Sequence, residues 1–335
     1  MSEAGTPSER PRVVFSEIAS DAWEHPADKA ALNALRRVPG FDEAVKRIFG
    51  FFGERGIRLM FLGDAVKCGP KQFPILHGLL TEACVTMNWE DQPELYVTQT
   101  PMVNAGAVGF EHPFIVLNSG AVSLLEEDEL RVLIGHELGH VMSGHALYRT
   151  ITILVLALGF QNLPFLAGIA LMPIKLALLE WYRKAELSAD RAGLLVSQDK
   201  EASLRIFLKL AGGGSMDQMN LEAFMEQARE YEESGGPLDA IYKILNTLSA
   251  THPFNTLRAG VLDRWVSEGV YEKILGGEYQ RRGLEQDERY SYMDDIKEAA
   301  SHYSKEARDL AGQVADAAKR AADAFTSAFK DRHEE

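Results

Sequence analysis

The chain has 335 residues, of which 46% are hydrophobic, and its formal net charge is −14 at pH 7. This length and hydrophobic content are sufficient for one large folded domain or two smaller ones. The negative charge argues against binding to nucleic acid and against electrostatic attraction to anionic lipid. Cys68 and Cys84 are too few for a disulfide framework, so they are expected to be ordinary buried thiols.

The N-terminal third of the chain predicts a disordered start followed by helices and short strands. Residues 1–12 are polar and contain no apolar stretch of the kind that secretory signals have, so we expect a cytoplasmic location. Helical periodicity follows in residues 41–55 and 72–87. Two β-like runs come next, at 94–98 and 114–118, and the segment 104–109 between them is rich in Ala and Gly.

The run His136-Glu137-Leu138-Gly139-His140 is the most informative motif of the chain. Acidic residues at 126–129, followed by apolar residues at steps of three and four, predict that it lies on a helix. On a helix, His136 and His140 share one face and can bind one metal ion, while Glu137 beside that face can act on a metal-bound water, as in a zinc peptidase. The alternative is a core helix whose histidines only hydrogen-bond to neighbours.

A metal held by two histidines needs a third protein ligand, and the sequence after His140 offers several interpretations. The downstream spacing of metzincins is absent. His145 is five residues from His140, about 140° around a helix, so it cannot share the metal and is expected to support the structure or a ligand. Glu186 and Asp190 form an i, i+4 pair on a predicted helix. One of these acids can bind the metal while the other holds the outer nitrogen of a ligating histidine.

Residues 151–179 are strongly apolar, but they do not fit a membrane-spanning hairpin. Each of the two apolar stretches has only about half of the roughly 20 residues that a bilayer crossing needs. A single crossing would separate Glu186 from His136 and His140. We therefore expect a helical hairpin that packs on the protein. The alternatives are a cover over the cleft, a contact for self-association, or contact with a membrane surface, which would make the protein peripheral to a membrane.

The C-terminal part contains one turn of interest and a change of composition. His252 precedes a proline, which favours an extended or turn backbone that could aim its ring into a cleft, and Arg258 could pair with Glu186 or Asp190. From residue 286 the chain becomes rich in alanine with a heptad pattern, which predicts a long helix over 286–335. Its mixed charges indicate that this helix packs against a partner helix or against the rest of the protein rather than against a lipid surface.

Four separated motifs of the chain resemble the M48 family of gluzincin metallopeptidases, which includes the CAAX prenyl proteases and HtpX. They are Asn104-Ala105, the stretch 114–146 with His136 and His140, Glu186 with Asp190, and Thr251-His252-Pro253-Phe254 with Arg258. The resemblance covers about residues 95–265. It implies a mainly helical α+β fold with a zincin-like domain and a small sheet whose edge strand borders the active-site cleft. It also implies a single Zn²⁺ held by His136, His140 and Glu186, with Glu137 as general base and His252 and Arg258 at the active site.

The resulting hypothesis is a zinc-dependent endopeptidase that acts on a protein or peptide. Such peptidases hold the peptide as an added strand at a sheet edge, so Asn104, Ala105 and Gly106 are expected to bind substrate, although family members often carry a bulkier residue than Gly106. The expected organisation is a disordered segment 1–12, a metallopeptidase domain 13–285 and a C-terminal helix 286–335. The alternative is a zinc-containing structural or interaction protein of the same fold whose cleft is blocked.

Overall fold

The computed structural model describes residues 12–38, 41, 55–59, 61–157, 165–234 and 252–283. The predicted helix over 286–335, most of the predicted disordered segment 1–12 and most of the predicted helix at 41–55 lie outside these residues. The strands are β1 Ala65–Lys67, β2 Leu95–Thr98, β3 Ala105–Val108 and β4 Phe114–Asn118. The helices are α1 Pro26–Arg36, α2 Pro74–Thr86, α3 Ser119–Leu124, α4 Glu127–Met142, α5 His145–Ala157, α6 Phe165–Ser197, α7 Lys200–Gly212, α8 Leu221–Glu233, α9 Asn255–Ser267 and α10 Val270–Leu275.

The four strands form one mixed sheet in the order β1-β2-β4-β3. β2 and β4 pair in parallel, and β1 and β3 add antiparallel on the two sides. The strands predicted at 94–98 and 114–118 and the helix predicted at 72–87 are confirmed as β2, β4 and α2. The segment 104–109, in which no strand was predicted, contains β3. Its Ala-Gly-Ala sequence has low β propensity, so the pairing with β4 decides its conformation.

Helix α4 carries the His136–His140 motif and is stabilised at its first turn by a capping box. The side chain of Glu126 caps the helix backbone, and the carboxylate of Glu129 accepts a hydrogen bond of 2.9 Å from the backbone N–H of Glu126. Glu129 is fully buried, and its carboxylate also accepts hydrogen bonds from Nε of Arg205 at 2.8 Å and from Nζ of Lys209 at 2.7 Å. Helix α4 ends just before Gly144, whose φ of 67° allows the chain to turn into α5.

Helices α4 and α6 cross at a distance that only glycine permits. A Cβ on Gly139 would lie 2.4 Å from the Cβ of Ala192, and a Cβ on Gly135 would lie 2.6 Å from the Cβ of Val196. In the opposite direction, a Cβ on Gly193 of α6 would lie 2.8 Å from a backbone oxygen of α4. This close crossing brings the side chains of α6 against the histidine-bearing face of α4.

The apolar segment 151–179 belongs to α5 and to the first part of α6. The sequence suggested a hairpin followed by a separate helix around Glu186, but α6 is one continuous helix of 33 residues. Ile151, Ile174 and Leu178 pack in one cluster with Leu35 of α1. Over the described ranges, no helix combines the length and apolarity that a membrane crossing requires.

The two cysteines are buried and free, as predicted. Burial raises the pKa of the Cys68 thiol to about 11 and the pKa of the Cys84 thiol to about 12. Both thiols therefore remain protonated near neutral pH, which agrees with a role in packing rather than in chemistry.

Candidate active site

Three buried side chains converge where α4 and α6 cross. They are His136, His140 and Glu186, and one ligand atom of each lies within 4.8 Å of the others. The Nε2 atoms of the two histidines are 3.2 Å apart. Glu186 places Oε2 at 3.4 Å from Nε2 of His136 and Oε1 at 3.4 Å from Nε2 of His140. Two imidazole nitrogens and one carboxylate are a donor set that zinc uses in catalytic sites.

The state of Glu186 fits a bound divalent cation. Burial by itself raises the pKa of this carboxyl group, but the neighbouring His252 and Arg149 side chains hold that pKa well below its usual range. The carboxylate is therefore ionised. Its Oε2 atom is buried and accepts no hydrogen bond from the residues that the structure describes. A buried anion with an unused lone pair, facing two imidazole nitrogens, is suited to a metal ligand.

His136 is oriented from behind by Asp190, one turn of α6 after Glu186. Its Nδ1 atom lies 3.0 Å from Oδ1 of Asp190. Arg258 of α9 donates to both oxygens of Asp190, from Nε at 2.9 Å and from Nη2 at 2.5 Å, and lies farther from Glu186, at 3.5 Å. The sequence left Glu186 and Asp190 open as partners of Arg258, and in the structure it is Asp190 that accepts both hydrogen bonds. This pairing directs Nε2 of His136 toward Glu186.

His140 has a different outer partner. Its Nδ1 atom lies 3.0 Å from Nδ1 of His145, so His145 contacts a histidine of the motif from outside. Nε2 of His145 lies in turn 3.1 Å from Oδ2 of Asp28 on α1. Asp28 was missed by the sequence analysis, because an acid in the first turn of a helix is usually no more than a favourable charge at the helix terminus.

A second residue that the sequence analysis missed is Arg149 of α5. Its Nη1 atom donates to Oε1 of Glu186 at 2.8 Å and contacts Nε2 of His140, and Nη2 lies 3.8 Å from Oε2 of Glu137. A Cβ on Gly106 would lie 3.8 Å from Nη2 of Arg149, an ordinary van der Waals distance, so the guanidinium lies directly beside β3. A metal ion at these ligand atoms requires the guanidinium to withdraw from His140. An arginine within an apolar helix was the signal that could have revealed it.

Glu137 is buried beside the three converging side chains. Its Oε1 atom is 3.9 Å from Nε2 of His136, and its Oε2 atom accepts no hydrogen bond from any described residue. Burial raises the pKa of this carboxyl group, although Arg149 and His136 partly oppose the shift. A carboxylate with a raised pKa is a more effective proton acceptor near neutral pH.

A cleft of about 190 Å³ lies against Glu137 and the converging ligands. Asn104 and Ala105, at the start of the edge strand β3, form one of its borders, so the predicted edge strand at the cleft is confirmed. Gly106 is not among the lining residues and faces Arg149 instead. His252 lines the cleft, with Nε2 at 3.5 Å from Oε2 of Glu186. Most of the remaining wall is apolar and consists of Val103, Ala121, Leu125, Val132, Leu133, Ile206, Phe207, Leu210 and Leu262.

Comparison with known proteins agrees with this geometry. Residues 70–266 match the family model of peptidase family M48. The chain belongs to peptidase family M48. As an M48 member it is a metal-dependent peptidase of the gluzincin type, and its substrates are proteins or peptides.

Relatives of this M48 peptidase include plant and bacterial proteins. The chain is 37% identical over 270 residues to the plastoglobule-localized metallopeptidase 48, chloroplastic, of Arabidopsis thaliana, which covers 79% of this chain and 78% of that protein. It is 29% identical over 96 residues to a protease HtpX homolog of Caldanaerobacter subterraneus, covering 28% of this chain and 32% of the relative. A protease HtpX homolog of Helicobacter acinonychis is 37% identical over 68 residues, or 20% of this chain and 22% of that protein. No solved structure matches significantly.

Proposed function

We propose that this M48 peptidase is a zinc-dependent endopeptidase, with His136, His140 and Glu186 as zinc ligands and Glu137 as general base. The observation that carries the proposal is the convergence of these four buried side chains at a cleft bordered by a sheet edge. Zinc is proposed as the metal because two imidazoles and a carboxylate are its usual ligands in catalytic sites.

The reaction needs a nucleophilic water, a proton acceptor and stabilisation of the charge on the carbonyl oxygen. Zinc, when bound, supplies a Lewis acid that makes water acidic near neutral pH and polarises the scissile carbonyl. Glu137 removes the proton from the attacking water and later returns it to the leaving amine. The raised pKa of Glu137 supports this role, since it makes the carboxylate a stronger proton acceptor than an exposed glutamate.

His252 and Arg258 complete the proposed site. The side chain of His252 is 32% exposed and lines the cleft, so its ring is accessible to a bound peptide. We assign it a hydrogen bond to the carbonyl oxygen as negative charge develops there. Arg258 acts through Asp190, which it holds against His136 with two hydrogen bonds. It therefore positions a ligand, while its place in the lining of the cleft leaves it within reach of substrate.

Substrate binding is proposed to extend the sheet. β3 pairs with β4 on one side only, and among the described strands nothing pairs with its other edge. A peptide added there would run past Asn104 and Ala105 toward Glu137. Strand addition uses residues on both sides of the scissile bond, which supports an endopeptidase rather than an exopeptidase. Gly106 does not line the cleft, but it is part of this edge strand, so we propose that its backbone pairs with the peptide and that its small size lets the peptide approach closely.

The cleft predicts a preference for apolar side chains. Its volume of about 190 Å³ is somewhat larger than the roughly 150 Å³ cavity that accommodates benzene in an engineered protein. One leucine- or phenylalanine-sized side chain therefore fits. We expect cleavage of a proteome-derived peptide library to be enriched in Leu, Ile, Met or Phe at one position beside the scissile bond. Glycine there should lower kcat/KM by about 10-fold or more. Equal cleavage of all residue types would contradict this assignment.

The first test of the proposed function is the metal dependence of hydrolysis. The purified full chain should contain one zinc per chain by elemental analysis and should cleave an unfolded protein such as casein. Chelation should stop cleavage, and one equivalent of Zn²⁺ should restore it. A protein that binds zinc but neither cleaves casein nor binds a peptide hydroxamate would support the alternative of a blocked cleft. A protein without metal after zinc-replete purification would contradict the proposal.

The remaining expectations stay predictions. The name of the Arabidopsis relative associates that protein with plastoglobules. For this chain we propose a cytoplasmic location, with contact to a membrane surface as the alternative. Self-association through 151–179, the domain limits at 12 and 285, and a helix partner for 286–335 are likewise proposals.

A further inference from the structure

Helix α1 lies before the region that matches the family and yet approaches the candidate metal site. The family match begins at residue 70, whereas α1 spans Pro26–Arg36. Leu35 of α1 is fully buried and packs in one cluster with Trp181 of α6. This docking places Asp28, which is only 1% exposed, against His145 at the start of α5, and His145 in turn contacts His140 near the end of α4.

Asp28 is held firmly in this position. Nε1 of Trp181 donates to its Oδ1 atom at 3.1 Å, and Oγ of Ser188 donates to its Oδ2 atom at 2.6 Å. The backbone N–H of His25 donates to Oγ of Ser188 at 2.9 Å, so the hydroxyl has no freedom to turn away. Burial opposes ionisation of Asp28, but the hydrogen bonds that its carboxylate accepts from His145, Ser188 and Trp181 lower the pKa of the carboxyl group. Asp28 is therefore an anion that can only accept hydrogen bonds.

The protons in the chain His140–His145–Asp28 follow from this anion. Because the carboxylate only accepts, Nε2 of His145 must donate across the 3.1 Å contact. A metal ion on Nε2 of His140 would leave that ring's proton on Nδ1, which then donates across the 3.0 Å contact to Nδ1 of His145. This leaves the lone pair of His140 on Nε2, the atom that lies 3.4 Å from Glu186. The exposed fractions of His140 and His145 are 0% and 2%, so water does not compete for these contacts.

We propose that Asp28, acting through His145, fixes the tautomer and orientation of His140 for metal binding, which makes helix α1 a working part of the metal site. The inference rests on the proposed role of His140 as a metal ligand. Both ligand histidines then have an anchored carboxylate behind them: Asp190 directly behind His136, and Asp28 one imidazole away from His140. Such outer partners typically contribute 10- to 100-fold to metal affinity, by an order-of-magnitude estimate.

The decisive variant is Asp28→Asn, which preserves shape but reverses the proton chain. The amide oxygen of the asparagine would accept the hydrogen bond from Nε1 of Trp181, and its N–H group would then face Nε2 of His145. His145 would have to accept at Nε2 and donate from Nδ1, so Nδ1 of His140 would have to accept. His140 would then carry its proton on Nε2, where the metal binds. We expect the dissociation constant for Zn²⁺, measured by competition with a chromophoric chelator, to rise about 10- to 100-fold.

Ser188→Ala is the matched control, because it also removes one hydrogen bond from Asp28 but leaves the proton chain intact. It should lower the melting temperature of the metal-free protein without a comparable change in the zinc dissociation constant. His145→Phe, which keeps an aromatic ring against Trp181, should weaken zinc binding as Asp28→Asn does. In the double variant Asp28→Asn/His145→Phe, the two losses of zinc affinity should not add, since both substitutions interrupt the same series of hydrogen bonds.

Three results would overturn the inference. They are wild-type zinc affinity in Asp28→Asn, equal losses of affinity in Asp28→Asn and Ser188→Ala, or additive losses in the double variant with His145→Phe. A separate measurement on the wild-type protein distinguishes this failure from that of the proposed function. If the wild-type protein binds zinc tightly and Glu186→Gln does not, the metal site stands and only the role of Asp28 is lost. If the wild-type protein binds no zinc, both proposals fail.

Discussion

Replacement of Glu137 by glutamine is expected to abolish peptide hydrolysis while the protein keeps its metal. Glutamine has the shape of glutamate but cannot accept the proton of the attacking water, so kcat/KM should fall by about 10²–10⁴-fold. Glu137 touches no metal in the proposed arrangement, and its carboxyl group is already disfavoured as an anion by burial. The protein should therefore stay folded and contain one zinc per chain by elemental analysis.

The control for Glu137→Gln is Glu127→Gln on the same helix. The side chain of Glu127 is 62% exposed and lies in the first turn of α4, away from the cleft. Both kcat/KM and zinc content should match the wild type. Hydrolysis retained in a Glu137→Gln preparation free of contaminating peptidases would show that another group takes the proton.

Replacement of Glu186 by glutamine is expected to remove the metal and, with it, all hydrolysis. The substitution withdraws a charged ligand, so zinc affinity should fall by more than the roughly 10- to 100-fold that outer partners of ligands contribute. It also leaves the buried cations Arg149 and Arg258 without one of their anionic neighbours, at 2.8 and 3.5 Å, so some loss of stability should accompany the change. Zinc content after dialysis and the chelator-competition constant measure the effect.

A matched control for Glu186→Gln is Glu180→Gln, in which the replaced acid lies on the same helix but at the surface. It should bind zinc as the wild type does. Circular dichroism of both variants separates loss of the metal site from loss of the fold. Full zinc retention in folded Glu186→Gln would mean that another side chain supplies the third ligand.

Local spacing accounts for what the sequence could predict about this site. His136 and His140 are four residues apart on one helix, and so are Glu186 and Asp190, so each pair can be recognised without tertiary information. The choice between Glu186 and Asp190 could not be made from spacing. It came from the family resemblance, and in the structure Glu186 is the one that faces both Nε2 atoms.

The two charged residues that the sequence analysis missed, Asp28 and Arg149, contact residues that are far from them in the sequence. Asp28 reaches His145 from 117 positions away, and Arg149 reaches Glu186 across 37 positions. Periodicity reports which face of a helix is apolar but does not report which distant helix covers it. Strand β3 was missed for a related reason, because its pairing with β4 outweighs the low β propensity of Ala105-Gly106-Ala107.

The glycine-lined crossing of α4 and α6 limits how far the metal site can tolerate change. A methyl group at Gly139 would lie 2.4 Å from Cβ of Ala192, whereas carbon atoms pack at about 3.5 Å or more. The helices would have to separate by roughly 1 Å, and metal–ligand bonds accept deviations of only about 0.2 Å. Gly135, Gly139 and Gly193 thus set the distance between His136 and His140 on one helix and Glu186 on the other, so a larger residue at any of them should weaken the proposed metal site.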